Sequence, residues 1–121
     1  MEFVFDNNIP IYIQLVEQLK IFIISRKIKA GEKLPSVRDL ALQIKVNPNT
    51  IQKALGELES LGLIYTERTN GKFVTEDIEL LDKLRSEHAS SLVLNFIAGM
   101  ESIGIEKKEI IKYLNDFGGD K

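Results

Sequence analysis

Apolar side chains recur with a helical period over most of this chain, and one short stretch near the middle breaks the rhythm. From Ile11, the positions Leu15, Leu19, Phe22 and Ile23 repeat at helical spacing. Ile13, Val16 and Ile24 widen the stripe, so this helix is expected to be covered on more than one side. Pro10 stands at its start, where a missing amide is tolerated. Its end is expected near residues 26–28, before Ala30-Gly31. Residues 1–9 read as extended or irregular, with Phe3, Val4 and Phe5 packing loosely on the body. Gly31-Glu32-Lys33-Leu34-Pro35 is a connector. Ser36 then caps a short second helix whose inner face is Val37, Leu40, Ala41 and Ile44. Asp39 completes a capping box, though it is a shorter acid than the usual Glu. After a turn at Lys45-Val46, Asn47 caps a third helix that runs to about Leu61 and stops at Gly62. Pro48 fits its first turn. Ile51, Leu55 and Leu58 point one way, and Asn49, Thr50, Gln52 and Lys53 the other.

The break in period comes next. Leu63-Ile64-Tyr65-Thr66-Glu67 reads as a strand, Thr69-Asn70-Gly71 as a tight turn and Lys72-Phe73-Val74-Thr75 as the returning strand. Arg68, Asn70, Gly71 and Lys72 sit at the tip. From Glu76 the helical period resumes and continues to about Ser102, roughly 40 Å of helix at 1.5 Å per residue. Gly104 ends it, and a last helix spans 106–117. Gly118-Gly119-Asp120-Lys121 is expected to fray. The long helix is too apolar to be covered by one short helix and the edge of a small domain. Leu81, Leu84, Leu92, Val93, Phe96, Ile97 and Met100 are therefore expected at an interface with a second copy.

Two short helices joined by a tight turn, the second polar at its start, form the helix-turn-helix pattern, and the hairpin after it is a wing. The expected fold is mainly α with a small β hairpin. It comprises a winged helix-turn-helix domain over 1–75 and a two-helix dimerisation region over 76–121.

Charge supports this picture only when taken locally. The net formal charge is -2, which looks wrong for a nucleic-acid binder. Residues 20–53, however, hold eight basic side chains against two acidic ones, whereas residues 54–121 hold eight against thirteen. A basic first half beside an acidic second half points to one face for an anionic partner and another for something else. The chain has no cysteine, which rules out disulfides and thiolate metal sites and fits a reducing cytoplasm. It has a single histidine, so no zinc site is expected. His88 reads as a partly buried helix residue rather than a ligand. No glycine-rich phosphate loop or nucleophile motif is present, so no catalytic residue and no cofactor is assigned. No apolar run is long enough to span a membrane.

Several of these motifs, taken in order, resemble the GntR family. Pro10-Ile11-Tyr12-Ile13-Gln14-Leu15 and Gly31-Glu32-Lys33-Leu34-Pro35-Ser36-Val37-Arg38-Asp39-Leu40-Ala41 open the match. Asn47-Pro48-Asn49-Thr50-Ile51-Gln52-Lys53-Ala54 and Leu58-x-x-x-Gly62-Leu63-Ile64 continue it, over about residues 9–76. The Asn-Pro-Asn-Thr form and the short C-terminal part resemble the YtrA subfamily, in which two dimerising helices replace a larger effector domain. The resemblance implies a bacterial transcription regulator, commonly a repressor of a neighbouring transporter operon. It places Arg38 on DNA, starts the recognition helix at Asn47, Pro48, Asn49 and Thr50 with Gln52 and Lys53 following, and puts Gly71 with Lys72 at a wing tip that approaches the minor groove. Two positions depart from the pattern. Pro48 stands where many members carry an arginine, which shifts base reading to Asn49 and Gln52; amides pair best with adenine, so A·T-containing half-sites are expected. Lys45 stands where a turn glycine is usual, and a left-handed lysine there would cost about 1 kcal/mol.

The expected mechanism is a homodimer that meets an inverted repeat in double-stranded DNA, with recognition helices in the major groove and wings in the minor groove. Ser36, Arg38, Thr50 and Lys53 would grip phosphates and set register, and Asn49 and Gln52 would read base edges, with Arg38 open to either role. The alternative is a winged-helix module that docks a protein partner without specific DNA binding. A small-molecule effector would find room only between the C-terminal helices or at the dimer seam.

Overall fold

The computed structural model describes residues 2–117. In chain order they form α1 (Ile11–Ile24), α2 (Val37–Ile44), α3 (Pro48–Ser60), β1 (Ile64–Glu67), β2 (Gly71–Val74), α4 (Ile78–Ser102) and α5 (Lys107–Phe117). Two compact units result, Met1–Lys83 and Leu84–Lys121. The first therefore reaches past residue 75, because Leu81 in α4 is fully buried in it. The tail expected to fray, residues 118–121, lies outside the described residues.

In the first unit, α3 packs against α1 and α2 and touches β1. Leu15, Leu19 and Ile23 of α1 meet Leu40 of α2 and Ile51, Ala54, Leu55 and Leu58 of α3 in a core with essentially no exposed surface. Each helix contributes the positions its apolar period marks. Ile13 is the exception in α1: it is exposed, while Val16 is half-buried and Ile24 buried. Helix α1 stops earlier than expected because Arg26 adopts a left-handed conformation (φ 66°). This turn is held by the Arg26 side chain, which donates to the Ile24 carbonyl (3.2 Å) and to Asp82 Oδ1 (2.9 Å) at the start of α4.

The residues before α1 are pinned rather than loosely packed. Gln14 and Gln18 lie one turn apart. Gln18 exchanges bonds with the Val4 amide and carbonyl (3.3 and 2.6 Å). Gln14 does the same at Asp6 (2.7 Å each) and also donates to the Ile9 carbonyl. Phe3 stacks on Phe5 and meets Phe22 edge-on, whereas Val4 stays exposed.

The hairpin pairs Ile64 with Val74 and Glu67 with Gly71 in antiparallel register. Its loop is therefore Arg68-Thr69-Asn70, and Gly71 (φ 105°), expected in the turn, instead opens β2. The connector adds a rudimentary third strand. The Leu34 amide donates to the Lys72 carbonyl (2.8 Å), and Val74 and Gly31 bond across the same edge. A single bridge pairs Lys33 with Phe73. Gly62 (φ 80°) turns the chain from α3 into β1. Asp77 caps α4 by accepting from the Leu80 amide (3.1 Å).

In the second unit, the rest of α4 is followed after a short turn by α5, and Ile110 is its one buried large apolar side chain among the described residues. Leu92, Val93, Phe96, Ile97, Ile110, Ile111 and Leu114 line an apolar groove of about 350 Å³.

Candidate nucleic-acid interface

Two capped helix starts and a hairpin tip define this surface. At α2, Ser36 Oγ accepts from the Asp39 amide (3.0 Å). The return bond from Asp39 is absent among the described residues, since its side chain is one methylene shorter than that of Glu. At α3, Asn47 Oδ1 accepts from the Asn49 amide (2.8 Å), and Pro48 occupies the first turn. Lys45 links the two helices in a left-handed conformation (φ 64°, ψ 48°). Both helix starts present uncompensated amides and the positive end of the backbone dipole, which suits an anion.

The expected residues fall into three groups. Asn49 and Gln52 are exposed on the open side of α3, with Thr50 half-buried beside them. Arg38 and Pro48 flank a shallow groove of about 490 Å³ floored by Val37, Ala41, Leu42 and Val46. Ser36 faces Arg68, Asn70 and Gly71 across a second groove, about 380 Å³, between the start of α2 and the hairpin. Asn70 donates to Glu67 Oε2 (3.1 Å), which stiffens the loop.

Two expected cations are otherwise engaged. Lys53 places its ammonium over the Tyr12 ring, 4.4 Å from the centroid, in a cation–π contact. Lys72 folds back from the tip to Thr66 Oγ1 (2.8 Å) and Glu59 Oε1 (3.2 Å). This pairing, followed by the Thr66 hydroxyl, holds the Glu59 carboxyl below the usual carboxylate range. Partial burial, followed by the nearby Glu76 and Glu67 carboxylates, raises the Tyr65 phenol.

Lys33, Leu42 and Tyr12 belong to this surface and were not singled out from the sequence. Lys33 lies against the tip, where a Cβ on Gly71 would come within 3.2 Å of its Cε. Its nearness to the Pro-Ser start of α2 was the available signal. The Tyr12 contact joins α1 to α3 and leaves no local trace.

Residues 11–74 match the family described as bacterial regulatory proteins, gntR family. The chain belongs to that family. The chain is 32% identical to the HTH-type transcriptional repressor YtrA of Bacillus subtilis, over 94% of this chain and 88% of that protein. A solved GntR family transcriptional regulator from Listeria monocytogenes superposes with a TM-score of 0.86 at 43% identity, covering 93% of this chain and 98% of that one. The AraR DNA-binding domain in complex with operator ORX1 superposes with a TM-score of 0.56 at 34% identity, over 62% of this chain and 96% of that one. These GntR relatives share the winged helix-turn-helix described above, and the first two also span the C-terminal helices. Among the described residues no helix is long and apolar enough to cross a membrane, and no cluster of side chains could hold a metal ion.

Proposed function

We propose that this GntR-family chain is a sequence-specific DNA-binding transcription regulator that acts as a homodimeric repressor. The carrying observation is that the capped start of α2 shares one groove with the hairpin tip and another with the capped start of α3, on which Asn49 and Gln52 are exposed. The likeness to a DNA-binding domain solved on its operator supports that reading. Asn49 and Gln52 read base edges in the major groove. Ser36, Arg38 and Thr50 position the helix on phosphates, and Lys53 joins them by leaving the Tyr12 ring. Asn47 spends its side-chain oxygen as a cap and contributes structure first. The wing tip at Arg68, Asn70 and Gly71 follows the minor groove.

Dimerisation is assigned to residues 84–117, where Leu92, Val93, Phe96 and Leu114 are all more than 40% exposed in the single chain. Leu81 is covered by its own unit and so contributes nothing to that face. These four residues also line the apolar groove, and we assign it to the second chain rather than to a small-molecule effector. Two reading units held together address an inverted repeat with half-sites about one turn apart. Neighbouring transporter genes are the proposed targets, by analogy with the YtrA subfamily.

Titration of the full chain against its own upstream DNA and a scrambled duplex, read by fluorescence anisotropy over a range of salt, tests the reading. The expected result is a clear preference for the upstream DNA and a steep loss of affinity with salt. Equal, salt-insensitive binding to both, or none to either, would overturn it in favour of a protein-docking winged helix.

A further inference from the structure

The hairpin tip is short of free cations, since Lys72 points back into the domain. The ammonium of Lys72 on β2, the hydroxyl of Thr66 on β1 and the carboxylate of Glu59 near the end of α3 form a closed triangle. Its sides are 2.8 Å (Lys72–Thr66), 3.0 Å (Thr66–Glu59) and 3.2 Å (Lys72–Glu59). Thr66 and Lys72 face each other directly in the hairpin register, so one carboxylate oxygen grips both strands at one rung. That oxygen belongs to the same helix that carries Asn49 and Gln52. Arg68, by contrast, is exposed in the loop and has no hydrogen bond or ion pair among the described residues. The Lys72 side chain keeps only 27% of its surface exposed, against 41% for Glu59, so the lysine is the more enclosed partner.

We infer that Glu59 is a positioning residue for the wing: it ties both strands to the reading helix through Thr66 and Lys72, leaving Arg68 rather than Lys72 as the wing cation that touches DNA. This rests on the DNA-binding reading above and assigns Lys72 a role opposite to that expected from its place beside the tip glycine. A solvent-touching ion pair adds little to stability, so the consequence lies in placement. The triangle fixes the distance between what α3 reads in the major groove and where the loop enters the minor groove. Neutralising Lys72 internally also removes a cation that would bind any duplex, which favours selectivity over raw affinity.

The test uses the full chain and a duplex enriched by it from a random library, with affinity measured over a series of salt concentrations. Arg68→Ala removes one contact in each half-site and is expected to lower the magnitude of the log affinity against log salt slope by about 1.8 for the dimer. Lys72→Met and Glu59→Gln are expected to leave the slope unchanged and weaken binding about fivefold each, with the double variant no weaker than either single. The charge-swapped pair Glu59→Lys with Lys72→Glu is expected to bind within about threefold of the unmodified chain, whereas Lys72→Glu alone loses more than about tenfold. A slope lowered by Lys72→Met, or a swapped pair no better than Lys72→Glu alone, overturns the inference. A readout without DNA separates its failure from that of the DNA-binding reading. The Glu59 carboxyl, titrated by NMR, should rise towards the ordinary range in Lys72→Met, and an unmoved midpoint overturns the strut even if DNA binding holds. Failure of the unmodified chain to enrich any duplex removes the DNA-binding reading and the role given to Arg68 with it.

Discussion

The two compact units use their apolar residues in opposite ways. In the first, Leu15, Leu40, Ile51, Leu55, Leu58, Leu63 and Leu81 are all fully buried within one chain. In the second, Leu92 is 59% exposed, Leu94 66% and Leu114 54%, and only Ile110 is enclosed among the described large apolar side chains. Monomeric soluble proteins rarely leave a contiguous apolar face of this kind open. The first unit thus closes its own core, while the helical unit leaves the apolar face that the proposed function assigns to a second copy. On the proposed reading, affinity and selectivity come from joining two weak readers, not from enlarging one.

The largest expected effect separates these roles. Phe96→Asp places a charge on the exposed face and should convert a dimer to a monomer by sedimentation. It should cost at least about 100-fold in affinity for a two-half-site duplex, the usual scale of a lost second attachment. An unchanged sedimentation coefficient would remove dimerisation from this face. Next come paired truncations in that monomeric background. Leu55→Ala should lower unfolding stability by about 3 kcal/mol in a urea titration, since it opens a cavity in a closed core. Leu92→Ala should change it by less than about 0.5 kcal/mol, because an exposed side chain has little burial to lose. Equal losses would erase the contrast between the units.

Smaller effects sharpen the reading surface itself. Gln52→Ala should relax the choice at one base pair of each half-site by about 1–3 kcal/mol, measured with duplexes substituted at each position, and leave random DNA unaffected. Arg38→Ala should instead weaken all duplexes alike and reduce the salt slope by about 2, one contact from each protomer of the dimer. If both variants keep full operator affinity, the assignment of α2 and α3 fails. The smallest effect concerns the turn between them. Lys45 is left-handed at φ 64°, so Lys45→Gly should relieve about 1 kcal/mol of strain. The added freedom of glycine in the unfolded chain reduces the net gain to about 0.5 kcal/mol in thermal unfolding.

Elements with a strong local signature were legible in the sequence. The caps at Ser36 and Asn47, the stop at Gly62 and the strands around Asn70-Gly71 all lie within a residue or two of where the pattern puts them. The left-handed turn at Arg26 was not legible, because no glycine or asparagine marks it and its support, Asp82, lies far along the chain. The third strand in the connector is one bridge long, too short for any alternation to register. In α4 the apolar stripe runs on without a change of character. The sequence therefore could not say that Leu81 is buried at home while Leu92 is not. At the site, backbone positions were more legible than side-chain directions. Lys53 and Lys72 are long and flexible, and each finds a partner on another element, Tyr12 and Glu59, that local spacing does not reveal.

The central claim is that two identical readers address one DNA site through exposed amides on α3. Enrichment of duplexes from a random library by the full chain, followed by sequencing, tests it most directly. The account predicts an inverted repeat with A·T-containing half-sites about one turn apart. Enrichment of a lone half-site or a direct repeat, or no enrichment at all, would contradict it.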